Sequence, residues 1–244
     1  SQALEWLIRK KNGSVFRVML PAFNCSSVIN AVNRAGKSIQ LYDFSNSPGV
    51  FSWESIINKM GSDVEIVVVT HYFGVPVDLR PIVNFCKRQG IVVIEDCAHT
   101  LGACVAGKSV GTFGDAAIFS FNYDKPISLG WGGFAVINNK LAFSVDQEIS
   151  YDLPTIKLER FLLREFMGSM SKRRRLIPYQ DFFLVRQLRR FPVFGARPFQ
   201  KAPNISIGAI QAELCLWCLK HYPLVLHARN RNARIIASEI PLTT

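Results

Sequence analysis

Ile91 to Asp96, IVVIED, is an unbroken apolar run that closes on two carboxylates. Such a run reads as a central parallel strand, covered on both faces, that delivers Asp96 to its carboxyl end. In open α/β sheets, ligands bind in the crevice outside that edge. Twenty-nine residues after Asp96, Lys125 lies in SFNYDKPISLGWGG, on the loop that follows a second short strand, AAIFSF. The spacing lets the amine meet the carboxylate across one crevice.

An acid at a strand end is common and most lysines are solvated, so each residue alone says little. Together they are the minimal kit for pyridoxal phosphate chemistry. The lysine can condense with the aldehyde as a Schiff base. The aspartate can hold a proton on the pyridine nitrogen, so that the ring accepts electrons.

The rest of the chain supplies the sheet that this reading needs. Helical patterns fall near 3–11, 26–35, 52–60 and 79–89, and strand patterns near 16–20, 38–43, 64–70, 91–95, 115–121 and 132–138. Alternation of the two predicts a mainly parallel sheet with helices on both faces. Gln211 to Glu239 reads as one long helix.

With 244 residues, 49% hydrophobic and 19% charged, the chain can bury a sizeable core. No run reaches the roughly eighteen apolar residues of a membrane helix, and no cleavable signal precedes the first strand. The six cysteines are scattered. Cys215 and Cys218 form a CxxC, but no second pair completes a zinc site, so free thiols on a helix face, no metal and a reducing cytoplasm are expected.

The charge is uneven. Lys157 to Lys201 holds twelve Lys or Arg against Glu159, Glu165 and Asp181, a balance of +9 within a total of +11. A solvated face is the plainest reading of this density. The phenylalanines among the charges also suit contact with an anionic membrane surface. A nucleotide diphosphate would favour the same neighbourhood. No motif supports nucleic-acid binding.

Four blocks, in order, carry a resemblance: VMLPAFNCSSVINAVNRAGKSIQLYDF, THYFGVPVDLRPIVNFCKRQGIVVIEDCAHTLGA, GKSVGTFGDAAIFSFNYDK, and NISIGAIQAEL with Asn204 and Gln211. Together they resemble the DegT/DnrJ/StrS family of PLP-dependent sugar aminotransferases. The resemblance implies the large domain of a fold-type-I PLP transferase over 1–150, a basic helical insert over 151–203, and a long helix over 204–244 leading to a smaller C-terminal domain. It also implies a Gly-Thr-rich phosphate loop ahead of the first helix, with Ser1 as its remnant, so the sequence reads as truncated at both ends.

The same resemblance assigns roles. Asp96 pairs with the pyridine nitrogen of pyridoxal 5'-phosphate, and His99 lies over the ring where most relatives carry Gln. Ser120 donates to the phosphate, and Lys125 holds the aldehyde and shuttles the proton. Asn204 reaches the phosphate in a partner subunit, which implies a homodimer. Trp131 stands where the family has Glu, and Ser206-Ile207 where it has Arg-Met, which puts the usual sugar in doubt. The implied reaction moves an amino group from an amino acid, glutamate by expectation, to a keto sugar carried on a nucleotide. A different outcome on the same fold, such as dehydration or a non-sugar acceptor, and a silent scaffold both stay open at this point.

Overall fold

The computed structural model describes residues 2–43, 52–122, 124–144 and 207–240. Its centre is a six-stranded sheet. The strands are β1 (Arg17–Pro21), β2 (Ser38–Tyr42), β3 (Val64–Thr70), β4 (Val92–Asp96), β7 (Ala116–Ser120) and β8 (Gly133–Ile137). In space they run β2-β1-β3-β4-β7-β8. All neighbouring pairs are parallel except β7 with β8.

The central strands are mostly apolar because both faces are covered. Val18, Leu20, Ile66, Val68, Val92 and Ile94 pack toward helices α1 (Gln2–Lys10) and α2 (Ser26–Arg34). Met19, Val67, Val69 and Val93 pack on the other face toward α3 (Trp53–Asn58) and α4 (Arg80–Gln89). This period-2 split of β-branched residues is what a doubly covered parallel strand requires. The chain steps one way from β1 to β2 through α2, then the opposite way through α3 and α4. Right-handed crossovers that reverse direction must lie on opposite faces, and these do. The reversal puts a switch point between β1 and β3, and the strand ends that carry ligand chemistry line that edge.

Local chemistry sets the helix limits. Pro81 opens α4 in its first turn, and Gly90 ends it at φ 69°. There the Ile91 N–H reaches back to the Cys86 carbonyl at 2.9 Å. That left-handed conformation suits glycine and stops a helix.

Two features escaped the sequence patterns. A hairpin of β5 (Cys104–Val105) and β6 (Lys108–Ser109) turns through Ala106 and Gly107 at φ 48° and 79°. Two-residue strands are too short to show a period, and Ala is an uncommon residue for a turn of that geometry. A single 3₁₀ turn, Lys140–Ala142, follows β8. The proposed boundaries at 150 and 203 lie outside the described residues.

The long helix is real: α5 spans Ala209–Glu239, with Pro223 inside it. It is fastened across two loops at the carboxyl edge of the sheet. Gln211 Nε2 donates to the carbonyls of Leu129 and Trp131, each at 3.2 Å, and the Tyr222 hydroxyl donates to Leu101 O at 2.8 Å. Phe121, Ile127, Leu129, Cys215 and Tyr222 close an apolar cluster beneath it. All six cysteines are free, with Cys215 buried and Cys218 partly so. Among the described residues, no helix is long and apolar enough to cross a membrane.

The β7–β8 pairing leaves no room for side chains at its start. A Cβ on Gly133 would lie 2.2 Å from the Phe119 carbonyl oxygen. Gly133→Ala is therefore expected to part the hairpin and lower stability by about 1–3 kcal/mol, read as a fall in the urea midpoint with an unchanged slope.

Candidate active site

Four sequence-predicted residues fall at the carboxyl edge of the sheet. Asp96 ends β4, with Thr70 and Ile118 as its register partners on β3 and β7. Strand alternation puts Ser120, two residues beyond Ile118, on the same face as Asp96. Thr70 is buried. His99 follows Asp96 by three residues, and Lys125 sits on the loop between β7 and β8.

Asp96 is 5% exposed. Its Oδ1 accepts one hydrogen bond from the Ala98 N–H at 3.0 Å. Burial pushes the carboxyl above its ordinary range, against the lowering effect of that bond and of the neighbouring charges of His99 and Lys125. Burial of this kind disfavours the charged form, and a cationic partner offsets that cost.

Lys125 Nζ stands 2.8 Å from His99 Nε2 and 2.9 Å from Asp124 Oδ2. The lysine side chain is 13% exposed and that of Asp124 is 66% exposed. Burial and the adjacent Lys125 charge hold His99 below the usual imidazole value. Burial acts to raise Asp124, but its bond to Lys125 outweighs that and leaves it lowered. The Ser120 hydroxyl accepts from the Asn122 N–H at 3.4 Å. Asp96, His99 and Lys125 are thus electrostatically coupled, and Ser120 shares their edge. Ser1 and Asn204, the other two sequence candidates, lie outside the described residues, as does the basic segment 157–201.

Aromatic rings stand beside these groups. Phe73 stacks on His99 with centroids 6.0 Å apart and planes at 20°. Phe23 lies 5.5 Å from Tyr72 and 6.2 Å from Phe73. The Tyr72 hydroxyl donates to the Phe23 carbonyl, and burial pushes that phenol up to about 12. Phe73 has φ 53°, a conformation that costs a bulky residue about 1–2 kcal/mol. Strain of this kind persists where the surroundings enforce it.

Sequence reading assigned no role to two residues behind the site. Glu95 and His71 are fully buried, and His71 Nε2 lies 3.2 Å from Glu95 Oε2. The Glu95 carboxylate also accepts from the N–H groups of Gly111, Phe113 and Gly114 at 2.8, 2.6 and 2.7 Å. Burial works to raise Glu95, but the His71 bond and these three donors overcome it and keep the carboxyl below its ordinary value. With Cys97 they form a compact group of potential metal ligands. Hydrogen bonds already engage His71 and both Glu95 oxygens, and burial drives the Cys97 thiol up, so the cluster is built as a hydrogen-bond hub. One signal was legible: a carboxylate inside an apolar strand needs partners.

Residues 2–149 match the DegT/DnrJ/EryC1/StrS aminotransferase family. The chain is 34% identical over 126 residues to GDP-perosamine synthase of Escherichia coli O157:H7, covering 52% of this chain and 35% of that protein. It therefore spans about a third of the length of the curated relatives it matches. The aminotransferase from Psychrobacter cryohalolentis superposes with TM-score 0.52 at 28% identity, over 57% of this chain and 36% of that one. The PLP-form of the putative sugar aminotransferase Spr1654 from Streptococcus pneumoniae has the same fold, with TM-score 0.60 at 19% identity over 97% of this chain and 57% of that one. With a family model matching more than half of its length, the chain belongs to the DegT/DnrJ/EryC1/StrS aminotransferase family.

Proposed function

We propose that this chain is the large-domain part of a pyridoxal phosphate-dependent transaminase that carries an amino group from an amino acid, glutamate by preference, to a nucleotide-linked keto sugar. The observation that carries the reading is Asp96. It is a dry carboxylate at the crevice edge with one hydrogen bond and a raised proton affinity. A protonated ring nitrogen is a partner that would offset the cost of its burial. The amine of Lys125, part-buried and next to His99, is the group that would hold the aldehyde. The residues present therefore fit the cofactor.

When bound, pyridoxal phosphate supplies an electron sink for the carbon that loses or gains a proton. The chain's own groups do the rest. Asp96 keeps the ring nitrogen charged. His99 would pack against the ring, with burial and the Lys125 charge favouring its neutral form. Ser120 donates to the phosphate from the end of β7. Lys125 Nζ is the group that would accept and return protons at the reacting carbons, working as base and then acid. The lysine loop fastened under α5 leaves little of the Lys125 side chain exposed, and a site with less water strengthens its charge.

The name GDP-perosamine synthase, carried by curated relatives, supports a nucleotide sugar as acceptor. A homodimer joined through Asn204, a phosphate contact from Ser1, a cytoplasmic site and docking of the 157–201 segment on anionic membrane belong to the same proposal. Adding glutamate to the cofactor-loaded full-length protein should bleach its yellow colour and release one 2-oxoglutarate per site. Retention of the colour at saturating glutamate would reject glutamate as donor. Loss of colour without oxo-acid release would favour a different outcome on this fold.

A further inference from the structure

Behind Asp96, the His71–Glu95 pair joins three segments that meet at the site. Strand alternation puts Glu95 on the face of β4 opposite Asp96, with Val93 and the α3–α4 layer. From there its carboxylate gathers the Gly111, Phe113 and Gly114 N–H groups. The His71 ring binds Glu95 through Nε2 and accepts the Val77 N–H on Nδ1 at 3.0 Å. The His71 backbone N–H donates to the Asp96 carbonyl at 3.1 Å. The accepted bond on Nδ1 leaves Nε2 as the N–H that donates to Glu95.

The turn closed by this ring, His71 to Val77, carries Phe73, whose own N–H reaches His99 Nδ1 at 3.5 Å. Its strained φ and the positive φ of Gly74 are held between two fixed ends. The His71 side chain thus ties Glu95, the residue before Asp96, to the turn beneath His99, while its backbone N–H holds the Asp96 carbonyl.

We propose that His71, locked by Glu95, is a positioning residue that sets the Asp96 carboxylate and the His99 ring toward the ligand they face. It touches neither cofactor nor substrate and acts through those two residues. The inference rests on the reading of Asp96 as the partner of a protonated ring nitrogen. Gln and Asn separate its two bonds. His71→Gln can place an amide N–H where Nε2 donates to Glu95. His71→Asn can place an oxygen where Nδ1 accepts from Val77, but cannot reach Glu95.

The probe is 4'-deoxypyridoxine 5'-phosphate, which has the ring nitrogen and phosphate but no aldehyde, so Lys125 cannot capture it. Binding to the full-length protein and the pH midpoint at which the bound ring nitrogen loses its proton are both read by absorbance. Partners that orient a ligand-binding side chain are worth about ten- to a hundredfold in comparable metal sites. His71→Asn should weaken probe binding by about tenfold and move the ring-nitrogen midpoint down by about one unit, which is the same tenfold change. His71→Gln should stay within about threefold on the same scale.

A folded His71→Asn protein with wild-type affinity and midpoint would reduce the pair to fold stability and overturn the proposal. Failure of the wild type to bind the probe would instead overturn the cofactor reading. Should His71→Asn not fold, the wild type still decides. With ¹⁵N-labelled histidine, the Nε2–H of His71 should be visible as a slowly exchanging proton and should shift when the probe saturates the site. A resonance that ignores the probe would also overturn the proposal.

Discussion

Lys125→Ala is expected to abolish covalent capture of pyridoxal phosphate and to lower transamination by at least about a thousandfold. The magnitude follows from the loss of a positioned proton-transfer group, worth about 10²–10⁴ in rate by itself. Loss of the covalent hold adds to it. Among the described residues, neither neighbour of the amine can take its place. His99 Nε2 is 2.8 Å away, but its imidazole cannot condense with an aldehyde as an amine does. Asp124 offers only a carboxylate. Borohydride reduction followed by peptide mapping should find the cofactor on the Lys125 peptide in the wild type and nowhere in the variant. A variant with normal turnover would remove the lysine from the mechanism.

Asp96→Ala should cost about as much, several kcal/mol of barrier or on the order of a thousandfold in rate, because the ring nitrogen loses its proton and the electron sink weakens. The cofactor should still bind, since its other contacts remain. A change under about tenfold would make Asp96 structural.

The apo protein should respond in the opposite sense. Burial raises the folded Asp96 carboxyl above its unfolded value, so the folded state holds the proton more tightly. Stability is then lost as pH rises from the ordinary carboxylate value through the raised one. Asp96→Asn, which keeps an oxygen for the Ala98 N–H, should melt higher than wild type above that window and gain nothing below it. A functional carboxylate that costs stability is the trade expected of an active site.

Much of this was legible before the coordinates. The strands and helices were placed to within a residue or two because covered strands and amphipathic helices carry strong periods. IVVIED announced both the strand and the edge residue. Lys125 was readable only jointly with Asp96, since a lysine in a loop has no period of its own. The direction of β8 was not readable, because a five-residue apolar strand looks the same whichever way it runs. The His71–Glu95 hub was hidden for a different reason. Its members are 24 residues apart, and three of its donors are backbone N–H groups of residues 111–114, which leave no side-chain signature. The hairpin turn at Ala106-Gly107 lacked the Asn or Asp that marks such turns.

The clamp that α5 places over the site also sets an order of events in time. Its bonds to Leu129, Leu101 and Pro126 close loops of 82, 121 and 103 residues. Contacts of such long range are the slow ones in folding, because the chain must be brought together before they repay its entropy. During synthesis the sheet and Asp96 can form while α5 is still on the ribosome, yet the lysine loop stays unfastened until residues 211–229 have emerged. On the proposed reading of the site, cofactor capture is then a late step in maturation, and a nascent chain halted before α5 is expected to hold a finished sheet with an unfastened lysine loop.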